Sequence, residues 1–322
     1  MNKLKLYLYP NAKDHVHDHI PKYVNCIPLS RKGLEEHCTL VGPDEADYFY
    51  MGQFPDVNNR PSPDEFKYFK GNEARHIVDL EGEGGIEIPK WLHDSIITTN
   101  GPLKEYSNIK KLFVRPTFSH LLLDIVNGEP EQFEFPEEKS FGFKGLPNHA
   151  VRHLLFKSLY QTGPDRWDAY AKHWHLPVFI YPNNVWGGPM NKGSDLRTEY
   201  IKLLTDHLLS LCPRGIGIDS VRVIETCYFN RVPIIVTDKD YSLVGEYKVN
   251  VDDFAYKVII PDLSEQSLIE QLTEIYGNST EELRKKSNNA RIYFDTVIRD
   301  YFADPTKEFI EWLNCTYEID GK

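Results

Sequence analysis

The sequence has no uninterrupted apolar run near the ~18 residues that a membrane-spanning helix requires. Its first apolar stretch, residues 4–9, is too short for a secretory signal. Cysteine is scarce: Cys26, Cys38, Cys212, Cys227 and Cys315 are odd in number and lie far apart. That favours reduced thiols over a disulfide framework, so a cytoplasmic, soluble chain is expected. The sequons at Asn278 and Asn314 carry little weight without an export signal. There is no internal repeat and no low-complexity tract. Positive charge is also short, with 37 Lys and Arg against 48 Asp and Glu, a formal net charge of −11. Such a balance repels a polyanion and excludes wholesale nucleic-acid binding. It still permits one nucleotide, because a few arginines and backbone N–H groups hold a diphosphate.

Hydrophobic residues at 41% of 322 allow a well-packed core, and the length suits two domains. Aromatics at 13% fit a sugar-binding cleft, but they fit an ordinary α/β core as well. Short apolar runs over 4–9, 46–51, 75–80, 95–99 and 111–114 read as strands, several of them buried on both faces. A polar, proline-bearing stretch over 127–139 reads as a linker. Strands are then expected over 140–143, 177–181, 208–212, 232–237 and 258–260. Helices are expected over 149–160, 199–204, 220–229, 264–276, 280–300 and 305–313. This alternation predicts α/β architecture with parallel sheets covered by helices. The expected domains are 1–135, 136–303 and a C-terminal helical segment, 304–322, packing back on the first.

The most informative segment follows the strand over 208–212. Pro213, Gly215 and Gly217 turn the chain, and Ser220 is placed as the N-cap of the next helix. Glycines let backbone approach a ligand closely, and a helix N-terminus offers unpaired N–H groups. Arg214 in the loop and Arg222 in the first helical turn are the residue type that meets phosphate oxygens. Glu225, further along the helix, is the type that accepts both hydroxyls of a ribose. Acid for ribose and cations for diphosphate are the chemistry of a nucleotide-sugar site. The same residues would also make a plain strand-to-helix connection with a surface Arg–Glu pair. The loop matches neither the dinucleotide fingerprint nor the Walker loop.

Cys212-Pro213-Arg214-Gly215, then Ser220, Arg222 and Glu225, then Val232-Pro233-Ile234-Ile235, closely resembles the donor-binding half of the exostosin family. The likeness runs from about residue 140 to the final helices, roughly half of the chain. It implies a GT-B-like fold, two Rossmann-like domains with parallel sheets facing an interdomain cleft. It implies an inverting hexosyl- or pentosyltransferase of the GT47-like kind that uses a UDP-sugar donor and an oligosaccharide or glycoprotein glycan acceptor. By the same resemblance Arg214, Gly215, Gly217, Ser220, Arg222 and Glu225 contact the donor. Arg152, after Phe141-Gly142-Phe143-Lys144-Gly145, is a further candidate for a phosphate; a surface arginine on an amphipathic helix reads equally well. The segment 241–246 lacks the proline usual in the family at that place.

Inversion requires a base for the acceptor hydroxyl and positive charge for the leaving diphosphate. In the GT-B arrangement the base belongs to the first domain. Asp79, Glu81 and Glu83, ahead of Gly84-Gly85, are candidates, as is His17 between His15 and His19. Alternate histidines could also hold a transition metal, but nothing fixed completes the set. His173, His175, Asn183, Asn184, Trp186, Gly187 and Gly188 are secondary candidates for a cleft lining. No Asp-x-Asp triplet is expected after a strand in the way metal-dependent GT-A transferases show. Arginine is therefore expected to stabilise the leaving group, with no cofactor required and a divalent metal not favoured. A non-catalytic glycan- or nucleotide-binding protein of this fold, or a nucleotide-sugar epimerase, are the alternatives.

Overall fold

The computed structural model describes residues 3–10, 12, 29, 31–54, 62–80, 88–100, 111–116, 119–129, 131–136, 138–159, 176–182, 195–215 and 220–316. The chain divides into two compact units. Unit 1 is Met1–Thr117, Tyr241–Tyr247 and Arg299–Lys322; unit 2 is Phe118–Asp240 and Lys248–Ile298. No helix among the described residues is long and apolar enough to cross a membrane.

Among the described residues, unit 1 has six strands: β1 (Lys5–Leu8), β2 (Thr39–Leu40), β3 (Tyr48–Phe54), β4 (His76–Leu80), β5 (Ile96–Asn100) and β6 (Leu112–Arg115). They lie in the order β2-β1-β3-β4-β5-β6, and every pair is parallel. All five residues of β4 are buried, as a strand covered on both faces requires. Tyr9, Phe49, Phe66, Phe69, Val78 and Leu80 form its core. Helix α1 (Arg31–His37) belongs to this unit.

Unit 2 contains α2 (His120–Asn127), β7 (Phe141–Gly145), α3 (Ala150–Leu159), β8 (Val178–Pro182) and α4 (Asp195–Asp206). It continues with β9 (Leu209–Pro213), α5 (Arg222–Tyr228), β10 (Val232–Thr237), β11 (Tyr256–Ile259), α6 (Glu265–Gly277) and α7 (Thr280–Tyr293). The five strands among its described residues are also all parallel, in the order β11-β10-β9-β7-β8. Every residue of β9 and β10 is buried, Leu209 and Leu211 in β9 and the β-branched Val232, Ile234, Ile235, Val236 and Thr237 in β10 among them. The path runs from β7 out to β8, then returns past β7 to β9 and onward. The strand order therefore reverses between β7 and β9. Parallel sheets bind ligands at the carboxyl ends of such a pair, because connections leave in opposite directions and open a crevice.

After α7 a π-helical turn, Phe294–Ile298, ends unit 2. Helices α8 (Arg299–Ala303) and α9 (Pro305–Thr316) then belong to unit 1. Phe309 and Trp312 of α9 set their rings 5.4 and 5.2 Å from Phe113 of β6. His37 Nε2 lies 2.6 Å from Asp304 Oδ2.

The division differs from the expected break near residue 135. Unit 2 starts before α2, whose Leu121, Leu122 and Ile125 are buried. Ser119 caps this helix, its Oγ accepting the Leu122 N–H at 3.1 Å. The polar composition of the following stretch marks a surface loop of unit 2 and not a boundary. Ser119 ahead of Leu121, Leu122 and Ile125 was the sign of the helix.

Candidate functional site

The carboxyl ends of β7 and β9 bring three predicted residues together in unit 2. Arg214 follows β9 directly, and its backbone N–H donates to Val236 O at 3.0 Å, tying the loop to β10. Its side chain is only 8% exposed. Nη1 donates to Asp238 Oδ1 at 2.8 Å, while Nε, fully buried, has no partner among the described residues. A buried guanidinium N–H without an acceptor is costly, and an anion would relieve it.

Arg152 reaches the same loop from the first turn of α3. Its Nε donates to Arg214 O at 3.1 Å, Nη2 to Pro213 O at 3.4 Å, and Nη1 to Asn148 Oδ1 at 3.1 Å and Leu146 O at 3.5 Å. All four acceptors are neutral oxygens. Burial, and then the nearby Arg222 charge, pull the Arg152 pKa down to about 10. It still carries its charge at neutral pH, so Arg152 adds an unneutralised cation. Half-buried His149 is pushed below the usual imidazole range by burial and then by Arg214, with Arg152 adding to the effect. A Cβ on Gly215 would stand 3.0 Å from Arg152 Nη2 and 3.3 Å from its Cζ, so glycine allows the guanidinium to lie on the backbone.

Arg222 and Glu225 lie deeper in the unit. Arg222 Nε donates to the Tyr200 hydroxyl at 3.0 Å, Nη1 to Leu211 O at 3.5 Å, and Nη2 to Lys144 O. Its guanidinium lies 4.5 Å from the Phe143 ring centroid and 5.1 Å from that of Tyr200. Glu225 is 1% exposed. Its Oε2 accepts from the Tyr200 hydroxyl and its Oε1 from the Ser119 hydroxyl, each at 2.5 Å. The alternative of a surface Arg–Glu pair therefore fails, since both residues are buried and a tyrosine joins them.

Ser220 does not cap α5, contrary to expectation. The cap position is Val221, with no side-chain bond, and Ser220 accepts the Val223 N–H through its carbonyl oxygen at 2.9 Å. A single turn of tighter backbone precedes the seven-residue helix and uses up the serine. Gly217 lies outside the described residues.

The acidic candidate Asp79 is corrected by its surroundings. It sits inside β4, its side chain wholly buried, and Arg115 Nη2 lies 2.8 Å from Oδ1. Thr98 Oγ1 donates to Oδ1 at 2.9 Å and the Leu29 N–H to Oδ2 at 3.3 Å. Burial pushes this carboxyl above the usual range while Arg115 pulls it down. Enclosed in this way, Asp79 has no route to an acceptor hydroxyl and serves the packing of unit 1. Glu81, Glu83, His15, His17 and His19 lie outside the described residues. So do His173, His175, Asn183, Asn184, Trp186, Gly187 and Gly188.

Sequence reasoning missed Tyr200, Ser119 and Asp238. Tyr200 shares the apolar face of α4 with Leu203 and Leu204, so its spacing marks only core. Asp238 had a signal: it directly follows β10, at the carboxyl end of the strand beside β9. Contrary to expectation, Asp238-Lys239-Asp240 is an Asp-x-Asp triplet directly behind a strand. Asp238 is held by Arg214, and Asp240 meets Lys257 Nζ at 3.1 Å. Among the described residues no group of three or more His, Cys, Asp or Glu could hold a metal ion.

No family model matches the chain, and no curated protein matches it. Its fold is similar to that of a glycosyltransferase from Rickettsia africae ESF-5, at 12% identity, 87% of each chain covered and a TM-score of 0.37. It is also similar to T4 phage BGT in complex with UDP and Mn2+, at 9% identity, 98% of this chain and 99% of that one, TM-score 0.38. A third likeness is to a mutant of S. aureus TarM in complex with Fondaparinux, alpha-GlcNAc-glycerol and UDP, at 12% identity, 84% of this chain and 55% of that one, TM-score 0.36. Similarity this distant assigns neither activity nor substrate.

Proposed function

We propose that the chain is an inverting glycosyltransferase of the exostosin-like, GT-B kind. It would move a sugar from a nucleoside-diphosphate donor, UDP-linked, to a glycan hydroxyl. One observation carries this reading: buried Arg214, with an unpartnered Nε, lies beside Arg152 where the strand order of unit 2 reverses. An excess of cation in a chain of net charge −11 has a purpose if an anion binds there. A diphosphate supplies the acceptor that Nε lacks and the charge that Arg152 lacks.

In this scheme Arg214 and Arg152 neutralise the charge that develops on the departing diphosphate. Gly215 lets the phosphate and Arg152 share the backbone surface. Glu225 receives a hydroxyl of the donor's ribose. Arg222, fully engaged by Tyr200 and two carbonyl groups, supports the site from beneath. No divalent metal is invoked, since the guanidinium groups provide the positive charge. The base is drawn from Glu81, Glu83 or His17, with Asp79 set aside as a member of a closed ion pair.

Titration calorimetry with UDP tests the assignment. Arg214→Ala should weaken UDP binding by about 10- to 100-fold, the range for a hydrogen bond to a charged group. Unchanged affinity rejects the role of Arg214. Incubation with UDP-sugars and mixed glycan acceptors tests the activity, and a new glycoside with inverted anomeric configuration is expected. Binding without turnover would identify a binding protein, and a changed sugar on UDP an epimerase.

A further inference from the structure

Two hydroxyl groups already occupy Glu225, and their directions are determined. Arginine can only donate, so the Tyr200 oxygen must accept from Arg222 Nε at 3.0 Å. The tyrosine proton is then left for Glu225 Oε2, 2.5 Å away. The Ser119 oxygen likewise accepts the Leu122 N–H at 3.1 Å, which leaves its proton for Oε1. Glu225 is thus a carboxylate that receives two O–H donors, one on each oxygen.

The two donors differ in how firmly they are held. The Tyr200 side chain is buried, and its ring lies against the Arg222 guanidinium, whose other nitrogens grip Leu211 O and Lys144 O. Removing it would strand a buried arginine N–H. Ser119 is half-buried at the head of α2, and its helix-capping bond does not depend on Glu225. A ligand hydroxyl can replace the serine hydroxyl with one O–H donor lost and one gained.

We infer that Tyr200 is the positioning residue of a ribose-hydroxyl subsite on Glu225, and that Ser119 occupies the acceptor site which one ribose hydroxyl takes over. This rests on the donor reading above and adds the means by which the ribose is recognised. Tyr200 orients the carboxylate through Oε2, and Oε1 exchanges one hydroxyl for another. Neither residue belongs to the motif that marked the loop.

Calorimetry with UDP, 2′,3′-dideoxy-UDP and inorganic pyrophosphate tests this on the full chain. Wild type should prefer UDP over the dideoxy compound by about tenfold or more. Tyr200→Phe keeps the ring and removes the hydroxyl; the preference should fall below about threefold while pyrophosphate affinity stays unchanged. Equal loss for UDP and pyrophosphate would show a merely structural role, and a preserved preference would overturn the inference. Ser119→Gly retains most of the capping and should tighten UDP by about threefold with no effect on the dideoxy compound. Unchanged UDP affinity there would overturn the exchange, even if Tyr200→Phe fails to fold. Wild type binding neither UDP nor pyrophosphate would instead overturn the donor reading itself.

Discussion

The two units carry the same order over five strands, yet they treat charge at the carboxyl ends in opposite ways. In unit 1, Asp79 and Arg115 close on each other with both side chains wholly buried, and Thr98 and the Leu29 N–H satisfy the remaining acceptor sites. In unit 2, Arg214 has a carboxylate on one nitrogen and no partner for Nε among the described residues, while Arg152 rests on neutral oxygens. The first arrangement sets one charge against another, whereas the second leaves Arg152 resting on neutral oxygens. A perturbed, buried carboxylate near the end of a strand is therefore a poor guide to function when its counter-ion is already in place.

The comparison breaks most visibly at Asp79. Asp79→Ala leaves a buried Arg115 charge unmatched and should cost about 3–5 kcal/mol in urea unfolding. UDP affinity of the folded variant should not change; a variant of full stability would show that the pair is not closed.

Unit 2 also has a closed polar pair, at the other end of its sheet. His207 Nδ1 lies 2.8 Å from Ser140 Oγ, the ring stacks 4.7 Å from Phe179, and a Cβ on Gly142 would stand 2.6 Å from it. Burial pulls its pKa from 6.5 to about 4. The folded state therefore prefers neutral His207, and the unfolded state takes up its proton first. Its stability contribution is complete above pH 6.5 and is lost as the pH falls toward 4, on the order of 3 kcal/mol in all. His207→Gln should flatten that part of the urea-midpoint profile. An unaltered slope between these pH values would assign the acid sensitivity elsewhere.

The smallest effect sharpens the open site. Gly215→Ala pushes a methyl group against the Arg152 guanidinium, a flexible side-chain end that can move by a few tenths of an ångström. UDP binding should weaken about fivefold, on the order of 1 kcal/mol, with little change in melting temperature. An equal loss of stability and affinity would mean that Arg152 acts as a strut and not as a ligand group.

Much of this was legible in the residues. The run over 232–237 is β10 as expected, and the run over 208–212 is β9 displaced by one residue. Buried parallel strands are continuous apolar runs, so local composition suffices to find them. Arg214 and Gly215 were visible because a strand, a glycine and an arginine stand next to one another in the chain. The sequence points to a cap at Ser220, but a tight turn before α5 satisfies the same backbone groups without the side chain. The stretch over 127–139 lies inside unit 2, because polar, proline-bearing loops also occur within a unit.

By itself the sequence determined the two parallel α/β sheets and placed a cationic, glycine-bearing turn at the end of one strand. Only the tertiary structure decided which charges are spent and which are open. Asp79 meets its arginine 36 residues away, and Glu225 meets Tyr200 at a separation of 25 residues and Ser119 at 106. Such partners are chosen by strand order and helix packing, and hydrogen bonding acts over about 3 Å whatever the distance along the chain.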